Sequence, residues 1–144
     1  MKFLFFFLLF LISHLALADA KLIKPILESN DELFMALLSE DQKLVSVAAE
    51  KLSNVISLSK DSKLILIAAD LKNISIKKSK TENLASYSKF MEGFLPLAKG
   101  HGLGTDHSVY YCPMVKKYWL QNNKVHKKTQ NVFAQEMLEC GGKA

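Results

Sequence analysis

A chain of 144 residues is sized for one domain, and its positive charge comes from one residue type: 19 lysines and no arginine face 14 carboxylates, for a formal net charge of +5. With no guanidinium fork to grip phosphates or base edges bidentately, the composition argues against nucleic-acid recognition and for a solvated lysine surface.

The first 20 residues, MKFLFFFLLFLISHLALADA, place Lys2 before an unbroken apolar run from Phe3 to Ile12 and end in the small-residue pattern Ala18-Asp19-Ala20. That is the layout of a secretory signal peptide cut after Ala20. The run stops at Ser13 and His14, short of the roughly 20 apolar residues a bilayer core requires, so no permanent membrane span is expected after cleavage. Residues 21–144 are therefore expected as a single periplasmic or secreted domain, in a compartment that oxidises thiols.

Beyond a lead containing Pro25, Ser29 and Glu32 stand at capping-box spacing, and apolar residues from Phe34 to Ile56 recur at helical intervals. Together they predict one long amphipathic helix over 30–58. SLSKDSK turns the chain, and Leu64 to Leu71 predicts a second helix because Ala68 and Ala69 favour helix over strand. Ser79 and Glu82 repeat the capping-box spacing ahead of a third stripe from Leu84 to Leu97, in which Gly93 and Pro96 predict a kink or an end near Leu95.

GHGLGTDH, residues 100–107, is the clearest break; lacking the Lys-Ser/Thr ending of a phosphate loop, it reads as a connector. Val109 to Cys112 reads as extended, since Pro113 disfavours helical geometry at Cys112. Val115 to Leu120 then reads as a short helical turn, NNKVHKKTQN as a polar loop, and VFAQEMLEC as a last helical segment stopped by Gly141 and Gly142. The expected architecture is all-α: three main helices and a short C-terminal one, with the Cys-Pro-Met segment packed across the bundle.

Sulfur is concentrated in two pieces, Cys112-Pro113-Met114 and Met137-Leu138-Glu139-Cys140. In an extended segment Cys112 and Met114 point to one side, and on a helix Met137 and Cys140 share a face. Brought together, they offer two thiolates and two thioethers, ligands that select soft ions and above all Cu(I). His107, with His101 and His126 as alternatives, can add an imidazole. The competing reading is a structural disulfide between Cys112 and Cys140, which removes both thiolates from the ligand set; a redox thiol is the third. The spacing leaves these open. There is no Cys-x-x-Cys, no Gly-x-Ser-x-Gly and no recognisable carboxylate pair, so an enzyme is not expected.

YYCPM, WLQ and EMLECG, taken in that order, resemble the bacterial domain of unknown function 3347 family, a small exported helical domain found alone and attached to membrane-fusion subunits of copper/silver efflux systems. The matching positions are Tyr111, Cys112, Pro113, Met114, Trp119, Leu120, Met137, Leu138, Cys140 and Gly141, within the region 109–142. Where that family commonly shows Asn-Pro-Tyr-x-Gly, this chain has Gln130-Asn131-Val132-Phe133-Ala134. The resemblance implies a soft-metal carrier or efflux accessory, with copper as the ligand and a membrane-fusion or other envelope protein as the partner. A disulfide-stapled module that docks on an envelope protein and binds no metal is the alternative.

Overall fold

The computed structural model describes residues 23–144, so the expected signal peptide and its cleavage point lie outside the described residues. Helix α1 occupies 23–39 and packs Ile26, Leu33, Phe34 and Leu37 inward at helical spacing. The capping box expected at Ser29 does not start it: Ser29 and Asn30 lie inside the helix and are buried, with Asn30 Oδ1 accepting a hydrogen bond from Tyr87 Oη at 3.2 Å. Ile23, Ile26 and Leu27 extend the apolar stripe upstream of that serine, and burying them outweighs a local cap.

The single helix expected over 30–58 is two. Glu40 adopts φ 62°, outside helical space, and Asp41 caps the second helix, α2 (Gln42–Ser57), by accepting from the Lys43 and Leu44 N–H groups at 2.9 and 3.1 Å. An unbroken helix of that length would extend about 43 Å and carry half its apolar stripe away from the core. The reversal folds α2 back along α1, as the Glu32–Lys51 ion pair at 2.6 Å records, and buries Val45, Ala49, Leu52 and Ile56 beside Phe34 and Leu37.

Asp61 caps α3 (Ser62–Ile67), which tightens into a 3-10 helix over Ala68–Asn73. Then α4 (Lys80–His101) begins at the Ser79/Glu82 capping box, as expected: the Glu82 N–H donates to Ser79 Oγ, and Glu82 Oε2 accepts from the Ser79 N–H at 2.9 Å. The end expected near Leu95 does not occur. Pro96 sits on the exposed side, where water can satisfy the Glu92 carbonyl it leaves free, while Phe94, Leu95 and Ala98 hold the helix to the core.

The all-α expectation is overturned by the last third of the chain, because a three-stranded antiparallel sheet packs on the helices there and makes the fold mixed. Its strands are β1 (His107–Cys112), β2 (Lys117–Asn122) and β3 (Gly142–Lys143), in the order β2-β1-β3, with β2 against α4. The extended segment at Val109–Cys112 is found. The helical turn expected at Val115–Leu120 is strand β2, and the expected C-terminal helix is a single 3-10 turn, Gln135–Met137. Aromatic pairing explains the strand: Tyr110 faces Trp119 and Tyr111 faces Tyr118 across the ladder, with ring centroids 5.7 and 4.4 Å apart. Among the described residues no helix is long and apolar enough to cross a membrane.

Because Asp41 alone caps α2 at the reversal, Asp41→Ala should cost about 1 kcal/mol, read as a lower urea midpoint at unchanged slope.

Candidate functional site

Cys112 ends β1 and Cys140 lies just before β3, and the two form a disulfide with their Cα atoms 5.8 Å apart. The hairpin on one side closes through residues 113–116, with Lys116 at φ 54° completing the turn so that Cys112 pairs with Lys117. The C-terminal chain crosses the sheet on the other side. Tyr110 and Cys112, two residues apart, share a side of β1 with Trp119, and the stacked Tyr110 and Trp119 rings lie under that crossing.

Gly141 makes the crossing possible. Its φ is +122°, and a Cβ there would stand 2.8 Å from Trp119 Cη2 and 2.8 Å from the Tyr111 carbonyl oxygen. Only a residue without a side chain lets the backbone lie this close to the indole and still pair with β1.

Two buried amides shape the polar loop between β2 and Cys140. Gln121, fully buried on β2, donates through Nε2 to the Lys128 carbonyl at 2.9 Å, while its Oε1 accepts from the Gln130 N–H at 2.9 Å. Asn131, also fully buried, donates through Nδ2 to the Cys140 carbonyl at 3.0 Å and accepts at Oδ1 from the Phe133 N–H at 3.0 Å. Its own N–H donates to the Leu138 carbonyl at 2.7 Å, so residues 131–140 form a closed loop that delivers Cys140 to Cys112. Sequence reading missed both residues. The signal was there only as amides within a lysine-rich stretch, which pattern alone reads as solvent-facing.

The sulfur set is thus brought to one end of the sheet, but not as a four-sulfur cage. Both thiolates are consumed in the bond, and the soft donors left are the thioethers of Met114, 69% exposed on the hairpin turn, and Met137, 44% exposed on the 3-10 turn. Leu138 is exposed beside them.

His107 is not part of this end. It starts β1, five residues from Cys112, or about 17 Å along a strand. There its Nε2 stands 3.0 Å from each carboxylate oxygen of Asp31, and Asn122 Nδ2 donates to the same carboxylate at 2.7 Å. This polar cluster ties α1 to the sheet.

His126 packs edge-on against Phe34, with burial pushing its imidazole pKa down and the Asp31 charge opposing that shift, and His101 is exposed at the end of α4. Among the described residues no three His, Cys, Asp or Glu side chains converge as a metal cluster. Comparison with family models, with curated proteins and with solved structures finds no match to this chain.

Gly141→Ala should destabilise the fold by about 2–4 kcal/mol in chemical denaturation, since the methyl meets both a backbone carbonyl and the Trp119 ring at a φ that alanine resists.

Proposed function

We propose that the chain is an exported, disulfide-stapled interaction module, a binding protein and not an enzyme, that docks on an envelope protein through the stapled end of its sheet. The observation that carries this reading is the Cys112–Cys140 bond, with Met114, Met137 and Leu138 exposed around it. A disulfide suits an oxidising compartment, and the leader-like first 20 residues supply a route there. Exposed methionines are adaptable contact residues, able to fit a partner surface without a fixed shape of their own. The likeness of YYCPM, WLQ and EMLECG to the domain of unknown function 3347 family favours a partner among membrane-fusion proteins of metal efflux.

A second reading rests on the same methionines. Their thioethers are donors that select Cu(I) and stay available with the staple intact, so the chain would be a soft-metal carrier through methionine sulfur. Replacing both methionines by leucine separates the readings, because leucine keeps the apolar contact and removes the sulfur.

The staple closes a loop with a sequence separation of 28, and its removal in the Cys112→Ser, Cys140→Ser double variant should cost roughly 3.5 kcal/mol. That corresponds to a fall of about 14 °C in the melting temperature. A variant that melts like the parent would remove the structural role. For docking, photo-crosslinking to the envelope partner should survive Met114→Leu with Met137→Leu and disappear in Met114→Glu with Met137→Glu, at unchanged melting temperature. Cu(I) affinity that falls sharply in the leucine pair, while crosslinking is absent from the parent, would favour the metal reading instead.

A further inference from the structure

Two grooves open at the reversal between α1 and α2. One, of about 530 Å³, runs between these helices and the turn after β2 and is apolar, with Phe34 and Ala48 buried in its lining. Its carboxylates are already paired, Asp31 with His107 and Asn122, and Glu32 with Lys51. Nothing in that lining singles out an occupant.

The other groove, of about 610 Å³, belongs to the stapled end. It is bounded by Glu40 at the reversal, by Lys80 and Leu84 at the start of α4, by Val115 on the hairpin turn and by residues 132–137. Leu84, Val115 and Phe133 are half-buried in its walls, and the exposed Met137 of the docking surface lines it too.

Its polar groups favour a donor. Glu40 and Glu136 line it against Lys80 alone, and Lys80 is already held by Glu40 at 2.6 Å. Glu136, exposed beside them, pairs with no cation among the described residues. Its neighbour Gln135 donates through Nε2 to the Leu37 carbonyl at 3.2 Å, while Gln135 Oε1 is shut from solvent and accepts nothing. A buried acceptor in that state is destabilising until a donor reaches it. The carboxyl end of α1, which Gln135 touches through Leu37, adds partial negative charge, whereas the amino end of α4 is already matched by its Ser79/Glu82 box. In a chain of net charge +5, this groove is a local excess of acceptors.

We propose that the groove receives an arginine side chain of the docking partner, its guanidinium shared between the Glu136 carboxylate and Gln135 Oε1 and its methylene stem along Leu84, Val115 and Phe133. A guanidinium holds its N–H donors in one rigid plane, so it serves a carboxylate and a neighbouring amide oxygen together, which a compact ammonium does less well. The inference rests on the docking reading above, because Met137 belongs to both surfaces.

NMR titration of the purified chain with three blocked pentapeptides, identical except for arginine, lysine or glutamate at the centre between two leucines, tests it. The arginine peptide should shift the Gln135 side-chain amide and the Glu136 N–H, bind more tightly than the lysine peptide, and weaken as salt is raised. The glutamate peptide should leave both signals in place. Glu136→Gln, at an exposed position, should weaken the arginine peptide roughly tenfold at unchanged melting temperature.

Equal binding of the glutamate peptide, or arginine binding that survives Glu136→Gln, would overturn the assignment. Crosslinking to the envelope partner that is lost in Met114→Glu with Met137→Glu but unchanged by Glu136→Lys would overturn this inference alone and leave the docking reading in place. Glu136-dependent peptide binding by a parent that gives no crosslink would instead overturn the docking reading, and with it the partner as the source of the arginine.

Discussion

The covalent tie between Cys112 and Cys140 decides how the last third of the chain is arranged. It joins the end of β1 to the start of a two-residue strand too short to hold its place by hydrogen bonds alone. With the tie in place, β1 becomes the central strand, paired with β2 over six positions and with β3 over two. The Ala144 N–H continues that second pairing by donating to the Val109 carbonyl at 2.9 Å. One bond therefore turns a hairpin, marginal by itself, into a three-stranded sheet.

The loop that delivers Cys140 is held by amide side chains as well as by the buried Val132 and the Phe133 ring stacked on Tyr87. Gln121 and Asn131 are buried with their acceptors and donors used, which is the condition under which a polar side chain can sit in a core without penalty. Asn83 does the same among the helices, donating to Gln42 and to the Ser75 carbonyl and accepting from the Ser75 N–H. These amides make single hubs where backbone from distant segments meets. The cost of losing one is set by the groups it would leave unpaired, not by its own bond count.

The two surfaces available for binding sit at different ends of β1. Cys112, at its end, bonds to Cys140, with Met114 and Met137 exposed on the adjoining turns; His107, at its start, reaches Asp31 and fixes the sheet against α1 beside the apolar groove. The same strand reaches both, yet the chemistry differs: soft, adaptable sulfur at one end and a hydrocarbon-lined groove at the other.

Local chemistry determined much of this from the sequence alone. Ser79 and Glu82 start α4, Pro113 keeps Cys112 extended, and the paired sulfur segments near the C-terminus mark the stapled end, because caps, prolines and cysteines act through neighbours or through one bond. The break at Glu40, the continuation of α4 past Pro96, the strand at Lys117–Asn122 and the separation of His107 from the sulfurs were decided by tertiary packing. In each, a local preference was overruled by what it would bury. A straight helix would strand its apolar stripe, a proline on an exposed face costs one bond that water replaces, and tyrosine and tryptophan gain more from partners across a ladder than from a helical turn. The Ser29 spacing lost for the same reason, since burial of the residues before it involves partners tens of positions away that no local pattern can contain.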